Sequence, residues 1–157
     1  LNKKEKDMER ILFINSSPEK NGNTARLAAA LLEGHSYEMI TLADYRINSY
    51  GSRLPGDQFD EILEKIKKAD VVVLGSPVYW HNLSGGLRVL LDRFYGPVPE
   101  GSMHGKKLFL VYQGAAPTKA MLESGEYAIS RFGALYGMHY EGMATTLREA
   151  RTLSSRI

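Results

Sequence analysis

Two rhythms alternate along this chain: short unbroken apolar blocks, and longer stretches in which apolar residues return every three or four positions. Ile11-Leu12-Phe13-Ile14 and Val71-Val72-Val73-Leu74 are blocks of the first kind and predict strands buried on both faces. Lys107 to Tyr112 (KLFLVY) predicts another strand, and Tyr37 to Leu42 and His139 to Thr145 predict two with weaker patterns. Between them, Leu27, Leu31 and Leu32 follow Asn23 and Thr24, residues suited to starting a helix. Phe59, Ile62, Leu63 and Ile66 fall at i, i+3, i+4 and i+7 behind Asp57, which is expected to cap them. Lys65, Lys67 and Lys68 crowd the last turn of that helix, where its dipole favours cations. Leu87, Leu90, Leu91 and Phe94 repeat the spacing, and Ser84-Gly85 is expected to begin their helix. Thr118 to Tyr136 predicts a long helical stretch interrupted by Gly125, and Leu147 onward a last helix.

Strand followed by helix, five times over, is the pattern of an α/β protein with a parallel sheet. Right-handed crossovers leave few arrangements, of which a five-stranded sheet of order 2-1-3-4-5 with helices on both faces, a three-layer sandwich, fits best. Residues 1–9 (LNKKEKDME) are charged and without period, so they are expected to be a flexible leader, and residues 10–157 a single domain. In such a sheet ligands bind beyond the carboxyl ends of the strands. The loops after the first, third and fourth strands are therefore where chemistry is sought.

Composition narrows the function. Lys and Arg number 20 against 18 Asp and Glu, a net charge of +2, with no basic run of the kind that binds nucleic acid. The longest apolar runs are too short to span a membrane. Cysteine is absent, which removes disulfides, thiolate metal or iron–sulfur ligation and cysteine nucleophiles together. The expectation is a cytoplasmic single-domain protein, without nucleic-acid or membrane partners.

Asn15 to Thr24 (NSSPEKNGNT) sets hydroxyls and amides directly before a helix, whose free N–H groups suit a phosphate. It is neither a Walker loop nor GxGxxG, and the plainer alternative is a turn that only caps the helix. Gly75 to Gly86 (GSPVYWHNLSGG) brings Tyr79, Trp80 and His81 together where a planar ligand would lie. Equally, Tyr79 and Trp80 would serve as a cover for the apolar core.

Taken together, the two loops carry a resemblance. SSPEKNGNTARLAAAL resembles the GSPRKxGNT phosphate loop of the NAD(P)H-dependent FMN reductases of flavodoxin-like fold, and GSPVYWHNLSGGLRVLLDRF resembles that family's second signature, through Asp92-Arg93. The resemblance spans roughly Ile11 to Tyr140. It implies that Ser17, Pro18, Asn23 and Thr24, with Asn21 in the same loop, hold the phosphate of FMN. It implies further that Pro77, Val78, Tyr79, Trp80 and His81 border the isoalloxazine ring, and that Gly114 and Ala115 belong to a third flavin loop.

The implied activity is electron transfer from NADPH or NADH through FMN to a small acceptor (a quinone, an azo or nitro aromatic, or free flavin), with no catalytic side chain and with a homodimer as the assembly. Lys20, Arg93 and Lys119 are candidates to meet a nicotinamide-nucleotide phosphate. Two alternatives stand beside it: a flavodoxin-type electron carrier, against which the charge of +2 speaks, and a flavin-free interaction protein of the same fold. The chain departs from the family pattern at Ser16, where glycine is common, and at Glu19, where arginine is common. Relatives with cysteines after the second strand bind iron–sulfur clusters, whereas Ile47-Asn48-Ser49-Tyr50-Gly51 supplies none here.

Overall fold

Apolar blocks that alternate between helical and extended rhythm must bury two faces of each strand, and the fold meets this with one sheet between two helical layers. A computed structural model describes residues 8–157; positions 1–7 of the expected leader lie outside the described residues, while Glu9 is tied to Lys107 by a 3.2 Å ion pair. The elements run β1 (Ile11–Asn15), α1 (Asn23–Leu31), β2 (Glu38–Thr41), α2 (Phe59–Lys68), β3 (Val71–Tyr79), β4 (Asn82–Leu83), α3 (Gly85–Asp92), β5 (Lys107–Gln113), α4 (Lys119–Tyr136), β6 (His139–Ala144) and α5 (Leu147–Leu153). The parallel strands lie in the order β2-β1-β3-β5-β6, and the short β4 folds back antiparallel onto the end of β3. Without that hairpin return the order is the expected 2-1-3-4-5. Two residues are too few to carry a period, so β4 left no mark in the pattern.

Alternate side chains go to opposite faces. Ile11, Phe13, Val71, Val73, Phe109 and Val111 pack under Leu27, Ala28 and Leu31 of α1 and Ala150 of α5. Leu12, Ile14, Val72, Leu74, Leu108 and Leu110 pack under α2, α3 and α4, through Phe59, Ile62, Leu87, Leu90 and Ile129 among others. With its strands covered on both sides, the sheet leaves its carboxyl edge and the loops above it as the place for a ligand. No helix among the described residues is long and apolar enough to cross a membrane.

Three details differ from the sequence expectation. The third strand does not end at Leu74 but runs through Pro77 to Tyr79, because β5 extends beside it and pairs Ser76 with Tyr112 and Pro77 with Gln113. Gly125 does not interrupt α4, which is continuous from Lys119 to Tyr136. Asp57 does not cap α2, whose N-cap is Gln58.

Asp57 is used elsewhere. Arg93 Nη1 and Nη2 donate to its two carboxylate oxygens at 2.9 and 2.6 Å, and Nη1 donates also to Asn48 O at 2.9 Å. The guanidinium lies 4.6 Å from the centre of the Phe59 ring. Asn48 N completes the arrangement by donating to Asp57 at 2.8 Å, and together these contacts fasten the long β2–α2 connection to α3.

The Arg93 hydrogen bond holds the Asp57 carboxyl below its ordinary value of 3.8, against an opposing effect of burial. A carboxyl with a lowered folded pKa contributes stability that is complete above the unfolded value and is lost as pH falls through the folded one. Arg93→Met is therefore expected to lower unfolding free energy at neutral pH by about 1.5–3 kcal/mol. Urea titrations from pH 7 downward should also show that the variant has a shallower loss of stability on acidification. An unchanged acid limb would remove Asp57 from the account.

Candidate functional site

The loop from Asn15 to Gly22 has an internal frame. Asn15 Oδ1 accepts from Ser17 N at 3.0 Å, Ser17 Oγ accepts from Glu19 N at 3.2 Å, and Gly22 N donates to Glu19 O at 3.2 Å. A Cβ on Gly22 would stand 2.8 Å from that of Glu19, so the turn closes only with glycine there. Gly22 is also the N-cap of α1 and supplies no side-chain cap, and no acidic residue lies in the first turn. The opening N–H groups of α1 are thus unclaimed by a cap, at the positive end of a helix dipole. That is the chemistry a phosphate dianion needs.

The expected residues of this loop divide. Pro18, Asn21 and Asn23 are exposed, but Ser17 is buried and its hydroxyl is engaged within the turn. Thr24 is 1% exposed; its methyl lies where a Cβ on Gly75 would come within 2.8 Å, and its hydroxyl accepts from Gln113 Nε2 at 3.5 Å. Glu19 is exposed. Arg26, one turn into α1, donates to Asn23 Oδ1 at 3.3 Å and so brings a cation to the loop. A cleft of 270 Å³ runs alongside, lined by Asn23, Arg26, Gln113, Thr145 and Thr146 with Leu27 and Leu147. Sequence reasoning passed over Arg26, Gln113 and Thr145; the only sign of Arg26 was its spacing three residues after Asn23 on a helix.

Beside this loop stands the β3–β4 hairpin. Val78 pairs with Leu83 and Tyr79 with Asn82, leaving Trp80 and His81 as the two residues of the tip. Both have positive φ, 47° and 66°, in the left-handed region that usually takes Asn-Gly. Tyr79 is 48% exposed and Trp80 94%. At that exposure Trp80 covers no part of the core, so the alternative role foreseen for it does not hold, while about half of Tyr79 is covered. Pro77 is buried within β3, and Val78 is half-buried. Gly114, at the end of β5, comes so close to Val78 that a Cβ would stand 3.0 Å from the valine's own, which brings the third loop with its exposed Ala115 against the hairpin.

Each left-handed non-glycine residue stores roughly 1–2 kcal/mol. Replacing Trp80-His81 with Asn-Gly is expected to raise unfolding free energy by about 1–3 kcal/mol, read by urea or thermal denaturation. A variant no more stable than the parent would show that the tip is not strained.

The three candidate cations for a nucleotide phosphate are not gathered. Lys20 pairs with Asp44 at 2.7 Å, Lys119 with Glu123 at 3.4 Å, and Arg93 with Asp57, each in a different part of the molecule. Among the described residues no group of carboxylates or histidines is placed to hold a metal.

Tested against FMN, these features agree with the group. An uncapped helix start faces where a phosphate would lie, and exposed aromatic rings stand over the next strand end. Comparison with known proteins points the same way. The family model described as NADPH-dependent FMN reductase matches residues 9–142. An iron-sulfur flavoprotein of Methanocaldococcus jannaschii is 38% identical over 54% of this chain and 51% of its own length. A Bacillus subtilis protein named as an NAD(P)H-dependent FMN-containing oxidoreductase is 31% identical, again over 54% of this chain and 51% of its own. The chain spans about half the length of these curated relatives. Among solved structures, the Trp repressor binding protein from Bacillus subtilis superimposes with a TM-score of 0.73 at 25% identity, covering 93% of this chain and 96% of that one. The likeness to an iron-sulfur flavoprotein stops short of a cluster ligated by cysteine, since this chain has none.

Proposed function

Because the chain belongs to the NADPH-dependent FMN reductase family, we propose that it is an FMN-dependent oxidoreductase taking electrons from NADPH or NADH and delivering them to a small acceptor. The observation that carries the reading is the pairing, on adjacent strand ends, of the uncapped start of α1 with the exposed Tyr79-Trp80 tip. A bound FMN would supply the hydride and electron chemistry between nicotinamide and acceptor, so the protein's part is placement and electrostatics. Residues 10–157 act in this reading as one flavin-binding domain, their single sheet bearing every loop concerned.

The backbone N–H groups of Asn23 and Thr24 and the Asn23 side chain hold the phosphate. Arg26 supplies the positive charge that Glu19 withholds. Asn21 and Pro18 rim the loop, and Ser17 and Thr24 keep its shape from inside. Pro77 and Val78 set the height of the hairpin under the ring, and Tyr79, Trp80 and His81 with Gly114 and Ala115 wall it. No acid or base is required.

The open face beside Trp80 fits a flat acceptor, and quinone and azo compounds are the acceptors in the names of further relatives. A homodimer would have a face available between α3 and α4, where Tyr95, Tyr127 and Leu135 are exposed. The same reading places the protein in the cytoplasm, where reduced nicotinamide is found.

Visible absorption after FMN addition and desalting, followed by NADPH and NADH without oxygen, tests the proposal. A retained band that bleaches is expected. A retained band untouched by either nucleotide would turn the reading to an electron carrier, and no retained or titratable flavin would overturn it.

A further inference from the structure

Ser16, Ser76 and Ser84 are buried side chains on three separate segments: the start of the β1–α1 loop, the late part of β3, and the N-cap of α3. Their polar atoms form a linked set. Ser84 Oγ donates to Ser16 Oγ at 2.7 Å, and Ser16 Oγ donates to Gly75 O at 2.7 Å. Ser76 Oγ accepts from Ser84 N at 2.9 Å and donates to Pro77 O at 2.7 Å. Ser84 Oγ also accepts from Leu87 N at 3.3 Å, and Ser16 N donates to Gly75 O at 2.9 Å. Each of the three hydroxyls therefore both donates and accepts within the protein. Buried hydroxyls matched in this way make their segments move together, because a shift of one segment that the other does not follow leaves a group unpaired at greater cost than a single bond contributes.

The arrangement has a direction. Ser16 immediately precedes Ser17 and Pro18 of the phosphate loop, and Gly75, Ser76 and Pro77 lead into Val78 and Tyr79 of the hairpin. Among the described residues, the Ser84–Ser16 bond is the only side-chain hydrogen bond joining the β1–α1 loop to the α3 cap. Glycine at position 16 would leave both loops in place but unlinked through side chains.

We infer that Ser16 is a positioning residue whose hydroxyl couples the two ends of the flavin site, so that filling the phosphate end tightens the ring end. This rests on the FMN reading above. Coupling between two sites is reciprocal, so it is measurable with separate ligands for the two ends.

Riboflavin, which lacks the phosphate, is titrated into the unchanged protein with and without saturating inorganic phosphate at constant ionic strength. Phosphate is expected to tighten riboflavin by about 5-fold or more. In Ser16→Gly and Ser16→Ala, with folding checked by circular dichroism, the factor falls to roughly one, as it does for independent sites. Trp80 is the single tryptophan, so its emission gives a flavin-free readout: phosphate added to the apoprotein shifts it only while Ser16 is present. Absence of coupling in the unchanged protein overturns the inference without recourse to any variant. So does coupling that survives in Ser16→Gly, while the FMN reading stands as long as flavin binds. A protein that binds neither riboflavin nor FMN overturns both together.

Discussion

Asn23→Ala is expected to weaken FMN by about 10- to 100-fold while leaving riboflavin nearly unchanged. The magnitude is that of one lost hydrogen bond to a charged group, roughly 1.5–3 kcal/mol. The selectivity comes from placement: Asn23 is exposed at the first position of α1, and with its Oδ1 accepting from Arg26 its side-chain amide N–H groups remain to donate. The backbone N–H groups of the helix start survive the change, so binding is weakened and not abolished. Thr24→Ala should behave differently. Its methyl lies against Gly75 and its hydroxyl is turned to Gln113, so its loss loosens the junction of α1 with β3 and lowers affinity for both ligands alike. Fluorescence titration of FMN and riboflavin against the two single variants and the double variant separates these effects. Equal losses of the two ligands in Asn23→Ala would leave the loop a structural turn.

Gly125→Ala is expected to destabilise the fold by about 2 kcal/mol or more, although alanine is the better helix former. In the middle of a helix the exchange alone would favour alanine by about 1 kcal/mol. Against this, a Cβ at position 125 would stand 2.3 Å from Cε1 and 2.8 Å from Cζ of Tyr112. Tyr112 is fully buried in β5, its ring cannot swing clear, and its hydroxyl has no hydrogen-bond partner within the protein. Burial pushes that phenol up to about 12, so it stays neutral throughout the accessible pH range. Overpacking of this kind typically costs about 1–3 kcal/mol, and an overlap with a rigid ring belongs at the top of that range. Urea denaturation followed by far-ultraviolet circular dichroism measures the difference. A variant as stable as the parent, or more so, would show that α4 can draw away from the sheet freely.

These two positions show what was legible in the chain and what was not. Asn23 stood out because its loop joins turn residues to a helix start, and both are local features. Gly125 was visible only as a poor helix former, and its reason is a tyrosine on a strand that is adjacent in space alone. The same holds for Asp57. An acidic residue two places before a helix looks like a cap, yet its carboxylate is claimed by Arg93 from α3, where a bidentate charged pair outcompetes a cap. Trp80 stood out in the chain because it lies in an aromatic cluster directly after a strand. Its near-complete exposure on a strained two-residue tip could not be foreseen, because β4 is too short to announce the hairpin that creates it.

By itself the sequence determined the alternation of five parallel strands with their helices, the faces each buries, and the two loops that carry the family's signatures. These follow from hydrophobic period and local turn chemistry, which act over a few residues and are written in order along the chain. Only the tertiary structure decided the partners across the sheet: Tyr112 against Gly125, Arg93 on Asp57, Thr24 turned inward to Gln113, and Ser16 linked to Ser84. Such contacts depend on which strand ends lie side by side once both faces are packed, and a side chain's partner is then chosen by distance and burial, not by its place in the chain.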